Sequence, residues 1–328
     1  MNILLMGTPD FAVPTLEALL ASPHEVMGAV AQPDAPAGRG KRLKPPPVKV
    51  RALQAGIPVH QPEKPRRDLW PGLSPDVVVV IAYGQILRPD ILNWPRLGCI
   101  NLHASLLPRY RGAAPINWAL MEGETETGVT SFLIEEKLDA GDILLQRRCP
   151  ISAEDTTETL SEKLARLSAE VCLETLDALE RGAVTPAPQD ESKATYARKL
   201  KKEDGLLDWR WEAAVICRRV RGLRPWPVAQ TRWAAAEGGG PSGESGDGAW
   251  LRVWMAVPEG GGEPARPPDA PPGTVGGLAV SRLGREGIRI AAADDWVLLA
   301  EVQPEGGRRM DARAFWQGHR LPAGAVLG

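Results

Sequence analysis

Along the first half of the chain, short apolar runs alternate with helical patterns: Ile3 to Met6 then Phe11 to Leu20, and Val26 to Ala31 then Val48 to Ala55. Val77 to Ala82 follows as a run rich in β-branched residues. Continuous apolar runs of this length read as strands covered on both faces, and their alternation with 3.6-period segments predicts βα units around a parallel sheet. Cys99 to His103 is predicted as a further strand, followed by a Pro/Arg/Gly loop over 106–113 and a helix near Pro115 to Met121. Gly128 to Ile134 and Ile143 to Ile151 read as two more strands, with the turn residues Asp139, Ala140, Gly141 and Asp142 between them. Asp155 with Glu158 has the form of a capping box, and Leu160, Leu164, Leu167 and Val171 then recur at helical spacing until Gly182.

The pattern changes near Thr185. A polar stretch with Pro186, Pro188, Arg198, Lys199, Lys201 and Lys202 reads as a linker. Beyond it, Trp250 to Val257, Ile288 to Ala291 and Trp296 to Val302 are short strand-like runs separated by Gly/Pro stretches, which predicts a small all-β domain. Two of those stretches, 235–248 and 257–273, are expected to be mobile loops that bury little and have no catalytic role. The expected organisation is a doubly wound, mostly parallel α/β domain over 1–185, a linker over 186–205 and the β domain over 206–328.

Composition narrows this picture in three ways. A chain of 328 residues with 43% apolar and 24% charged side chains suits two folded domains and excludes a wholly disordered or fibrous protein. With 39 basic and 41 acidic residues the net charge is −2, so a polyanionic partner must be met by local basic patches. Cys99, Cys149, Cys172 and Cys217 are too far apart for a C-x-x-C pair and form no disulfide framework, so a reducing cytoplasm is expected. No signal peptide or run of roughly 20 apolar residues is visible, so export and membrane spanning are not expected.

The candidate chemistry is concentrated in NLHASLLPRYRGAAP, Asn101 to Pro115, and LDAGDIL, Leu138 to Leu144. Asn101 and His103 are two apart on a strand, so they share a face at the end where open α/β sheets bind ligands. Acyl transfer to an amine needs donors for a developing oxyanion, a group that handles protons near neutrality and a base for the attacking ammonium. Asn101, His103 and Asp139 supply these, with Asp142 as the rival carboxylate. Singly, each has a plainer reading: His103 as a satisfied core histidine, Asn101 as a cap, and Asp139 as a turn former. The loop Pro33 to Pro47 carries Arg39, Lys41, Arg42 and Lys44 without an intervening acid, either a solvated cationic face or a clamp for phosphates. Arg218, Arg219, Arg221 and Arg224 read as a second basic track. None of the histidines stands at zinc-ligand spacing, and Gly7-Thr8-Pro9-Asp10 lacks both G-x-G-x-x-G and a Walker lysine, so neither a metal nor NAD or ATP is expected.

Taken together with AQPDAPAGRGKRLKPPPVK upstream and RGLRPWP downstream, these strings resemble the folate-dependent formyltransferases, in particular the branch that acts on methionyl-tRNA. The resemblance runs through nearly the whole chain and is weakest in the Gly/Pro-rich insertions. It implies 10-formyltetrahydrofolate as co-substrate, initiator methionyl-tRNA as acceptor and an oligonucleotide-binding-like barrel for the second domain; a monomer is the default expectation. It implies that Asn101 and His103 polarise the formyl oxygen and that Asp139 orients or charges His103 and helps remove the amine proton. Folate contacts are implied at Ser105, Leu106, Leu107, Pro108, Gln85, Ile86 and Leu87, and tRNA contacts at Arg39, Lys41, Arg42 and Lys44. The missing Gly-rich phosphate loop distinguishes the chain from glycinamide ribonucleotide formyltransferases. A formyltransferase for an amino sugar or other small amine, and a non-catalytic RNA-binding protein on the same fold, are the alternatives.

Overall fold

The protein is described by a computed structural model over residues 1–37, 42–233, 248–260, 269–282, 284–319 and 321–328. Its chain divides into two compact units: Met1–Ile116, Thr125–Ser152 and Thr159–Arg198 form one, and Asn117–Glu124, Ala153–Glu158 and Lys199–Gly328 form the other.

The first unit contains β1 (Asn2–Gly7), α1 (Val13–Leu20), β2 (Glu25–Val30), the short strands β3 (Ala35–Ala37) and β4 (Arg42–Lys44), α2 (Pro47–Gln54), β5 (Val59–His60), β6 (Val77–Ile81), α3 (Pro89–Leu92) and β7 (Cys99–His103). After α4 (Pro115–Glu122) come β8 (Glu126–Leu133), β9 (Ile143–Pro150) and the long α5 (Thr157–Glu180). One sheet runs β5-β2-β1-β6-β7-β8-β9, parallel from β5 to β7 and antiparallel where β8 and β9 are added. Every residue of β6 is buried, as a strand covered on both faces requires. The winding reverses between β1 and β6, because β1 pairs with the later β6 on one side and with β2 on the other. The C-terminal ends of β1 and β6 flank the crevice that such a switch point opens.

The expected linker of 186–205 is divided by the structure. Residues 187–197 are fastened along the first unit: Ile143 and Ala187 exchange main-chain hydrogen bonds, and Arg111 pairs through its main chain with Thr195 and Ala197. In the other direction, 117–124 and 153–158 cluster with the second unit, where the Asn117 amide and the Thr157 hydroxyl both donate to the Gly222 carbonyl at 2.8 Å.

The second unit contains α6 (Ala213–Gly222), β10 (Ala229–Trp233), β11 (Ala249–Pro258), β12 (Val275–Val280), β13 (Glu286–Ala291), β14 (Trp296–Pro304), β15 (Met310–Asp311) and α7 (Ala312–His319). Its antiparallel sheet runs β10-β11-β14-β13-β12, with β15 added to β14. Register shifts near Met255 bend β11. The β domain is therefore as expected, but with two helices. The stretch expected to bury little, 257–273, begins with the end of β11 and with Glu259, which is 1% exposed and hydrogen-bonded to the Arg289 guanidinium. Residues 235–247 and 261–268 lie outside the described residues.

Candidate active site

β7 ends on His103, and the parallel β6–β7 pairing places Asn101 opposite Val80. Because alternate residues of a strand share a face, Asn101 and His103 point to the same side. His103 is 6% exposed. Its Nε2 lies 2.8 Å from the Tyr110 carbonyl, which only accepts, so Nε2 carries the hydrogen. Nδ1 then faces Asp139 Oδ2 at 3.7 Å, close to the carboxylate yet beyond hydrogen-bond length. Asp139 Oδ2 accepts the Gly112 N–H at 2.8 Å. Asp142 makes no such approach to the histidine; its main-chain carbonyl accepts from Leu133. Among the described residues, no protein group hydrogen-bonds the Asn101 carboxamide, which is half-buried.

The loop that follows β7 is held by polar residues of the two antiparallel strands. The Thr130 hydroxyl donates to the Ser105 carbonyl at 2.7 Å and accepts the Leu107 N–H at 3.1 Å. Gln146, its cross-strand partner, donates to the Leu107 carbonyl at 2.8 Å. Ser105 and Leu107 are buried, and the Ser105 hydroxyl donates to the Arg109 carbonyl, so these two side chains shape the loop from within. Leu106 and Pro108 are half-buried and keep surface for a ligand. Gly128 of β8 is needed here, since a Cβ there would collide with the Arg147 carbonyl and stand 2.6 Å from Leu106 Cδ2. Gly128→Ala is expected to cost about 1–3 kcal/mol of stability through overpacking, read as a lower denaturant midpoint.

The turn after β6 lies at the switch point. The Tyr83 carbonyl accepts from Thr8 Oγ1 and from Gln32 Nε2, each at 2.9 Å. Gly84 has φ +85°, and a Cβ there would strike the Gln32 amide. Beyond this braced point Gln85 is half-buried and Ile86 is 88% exposed, whereas Leu87 joins the core with Tyr83, Val80 and Ile91. Of the three residues of this turn implied for folate, Leu87 therefore packs into the domain interior and Ile86 presents the apolar surface.

Of the cationic residues implied for tRNA, Arg42 and Lys44 are exposed on β4, which pairs with β3 as a two-stranded ribbon. Arg39 and Lys41 lie outside the described residues. The expected basic track at 218–224 is largely engaged within its own unit. Arg219 stacks on Trp211, Arg221 donates to the Asp155 carbonyl, and Arg224 pairs with Glu158 at 2.9 Å. Arg198, Lys199, Lys201 and Lys202 are exposed.

Several supporting residues were not singled out by the sequence. Arg111, fully buried, donates to Gln189 Oε1 at 3.1 and 2.7 Å and pairs with Glu191 at 2.8 Å. The hydrogen bond from Arg111, and after it that from Lys137, holds the Glu191 carboxyl down to about 2 from 4.5. Because the folded value lies below the unfolded one, the ionised pair stabilises the fold above about pH 4.5, and that stability is lost as pH falls through the folded value. Glu191→Gln should therefore show a small deficit in thermal midpoint at pH 7 that disappears toward pH 2; the carboxylate is 54% exposed, so screening keeps the deficit small.

Residues 1–176 match the model of the formyl transferase family, and residues 199–320 match that of the formyl transferase C-terminal domain. The methionyl-tRNA formyltransferase of Citrifermentans bemidjiense is 44% identical over 333 residues, covering 100% of this chain and 96% of the relative. The chain belongs to the methionyl-tRNA formyltransferase family. A second member, from Methylococcus capsulatus, is 45% identical over the full length of both proteins. Two solved structures share the formyltransferase fold at low identity. HypX from Aquifex aeolicus, in complex with tetrahydrofolic acid, has a TM-score of 0.61 and 19% identity over 96% of this chain and 46% of its own. The sugar 3N-formyl transferase WlaRD has a TM-score of 0.63 and 14% identity over 93% of this chain and 97% of its own.

Proposed function

We propose that the protein transfers a formyl group from 10-formyltetrahydrofolate to the α-amine of methionine on initiator tRNA, releasing tetrahydrofolate and N-formylmethionyl-tRNA. Full-length identity of 42–45% to proteins of that name is the observation that carries the reading. The bound folate supplies an activated formyl carbon. The residues present suit it: exposed Ile86 offers apolar surface for a planar ring, and the Asn101 carboxamide has free donors for a formyl oxygen.

In this reading the Asn101 amide donates to the formyl oxygen as negative charge develops there. With Nε2–H held by the Tyr110 carbonyl, His103 gains or gives its second proton at Nδ1, the atom that faces Asp139. With a hydrogen on Nδ1 the ring stands opposite the Asp139 carboxylate and donates to the formyl oxygen. Asp139, fixed by the Gly112 N–H, also draws the proton from the attacking ammonium, directly or through water. No covalent enzyme intermediate is needed. The exposed cations Arg42 and Lys44, with Arg39 and Lys41, serve the acceptor arm of the tRNA.

One protein of the same fold, WlaRD, is a sugar 3N-formyl transferase, so acceptor choice is the direct test. Methionyl initiator tRNA and a nucleotide-linked amino sugar are supplied in parallel with 10-formyltetrahydrofolate. The reading predicts a kcat/KM for the tRNA at least ~10³-fold above that for the sugar, the equivalent of about 4 kcal/mol. Comparable values, or formylation of the sugar alone, overturn it.

A further inference from the structure

We infer that Gln189 is a positioning residue for formyl transfer, setting the carboxylate of Asp139 against His103; the inference rests on the roles proposed above. Asp139 has φ +48°, in the left-handed region that a non-glycine residue adopts only when its surroundings hold it there. The Gln189 side-chain amide supplies that hold. Its Nε2 donates to the Asp139 carbonyl at 2.9 Å and to the Gly141 carbonyl at 2.8 Å, using both of its hydrogens on the turn that carries the carboxylate.

Gln189 is in turn fixed from its other end. Both of its contacts from the buried Arg111 guanidinium fall on Oε1, which fixes the amide's orientation and aims Nε2 at the turn. Arg111 lies between the two residues whose main chains contact the catalytic pair: Tyr110 accepts from His103, and Gly112 donates to Asp139. Gly112 has φ +114°, and a Cβ there would stand 2.8 Å from the Ala197 carbonyl. Three consecutive residues, 110–112, thus reach His103, Gln189 and Asp139, and the segment 189–197 closes the ring through Gln189, Thr195 and Ala197. Loss of the two donated hydrogen bonds frees the 139–141 turn to relax from its left-handed conformation, which moves the carboxylate away from Nδ1. Misplacement by about 1 Å suffices to slow chemistry ~10²-fold.

The test uses the full-length protein with Gln189→Glu and Gln189→Met. In Q189E a carboxylate still accepts from Arg111, so that anchor survives, but both donors to the turn are gone; in Q189M both connections are gone. The expected result is a fall in kcat of about 10- to 100-fold for each variant, per folded molecule, with KM for methionyl-tRNA and for 10-formyltetrahydrofolate within about twofold of the parent. Q189E also keeps the thermal midpoint closer to that of the parent than Q189M does. A purely structural role would lower the midpoint or raise KM without lowering kcat per folded molecule. Parental kcat in Q189E overturns the positioning role, while a parent that formylates no tRNA overturns the functional reading beneath it.

Discussion

His103→Ala is expected to lower kcat for tRNA formylation by about 10²–10⁴-fold, with KM for methionyl-tRNA changed by less than about twofold. The size follows from the ring's position. It is 6% exposed and its Nε2–H is engaged by a main-chain carbonyl, which leaves Nδ1 as the ring atom that can exchange a proton during the reaction. Alanine removes the proton-handling atom opposite Asp139, leaving the carboxylate with the Gly112 N–H as its hydrogen-bond donor among the described residues. The split between kcat and KM is the informative part. An interaction made with the changing charge of the reaction affects turnover, whereas one made equally with bound substrate affects KM. His103→Asn, which keeps a donor of smaller size, should recover only a small part of the loss because it cannot exchange a proton near neutrality. Steady-state formylation at saturating folate measures both variants.

Asn101→Ala is expected to lower kcat by about 10²–10³-fold, again with little effect on tRNA affinity. The carboxamide has no hydrogen-bond partner among the described residues, so its removal leaves no polar group of the protein unsatisfied. The stability of the variant should stay near that of the parent, which separates this prediction from one based on damaged folding. Asn101→Asp replaces a donor with an acceptor of like charge to the developing oxyanion and should be slower than Asn101→Ala. Turnover near the parental value in Asn101→Ala would remove the amide from the mechanism.

The sequence pattern placed most of the first domain correctly because its strands are continuous apolar runs. β6 is the clearest instance, five buried residues bounded by Asp76 and the turn at 82–84. Spacing alone also put Asn101 and His103 on one face. What spacing could not show were contacts made by the main chain, since the Tyr110 carbonyl and the Gly112 N–H carry no side-chain signature. Gln189 was equally hidden, 50 residues from its partner and within a segment whose prolines and charges resembled a linker. α6 was legible in principle: Ala213, Ile216, Cys217 and Val220 are buried at i, i+3, i+4 and i+7, but Arg218 and Arg219 interrupt the apolar pattern with charge. Glu259 shows the limit of composition, which averages over a Gly/Pro-rich stretch and misses a single buried carboxylate paired with Arg289. Of the two carboxylates left open by the DAGD turn, the fold brings Asp139 to the histidine.

The most direct measurement of the central claim is the placement of labelled formyl from 10-formyltetrahydrofolate by the unaltered protein. Methionyl initiator tRNA, its N-acetylated form and the deacylated tRNA are offered separately. The account predicts label on the methionyl-tRNA alone, recovered as N-formylmethionine after the ester is hydrolysed. Label on the N-acetylated or deacylated tRNA, or on none of the three, would contradict formyl transfer to a free α-amine in the crevice of Asn101, His103 and Asp139.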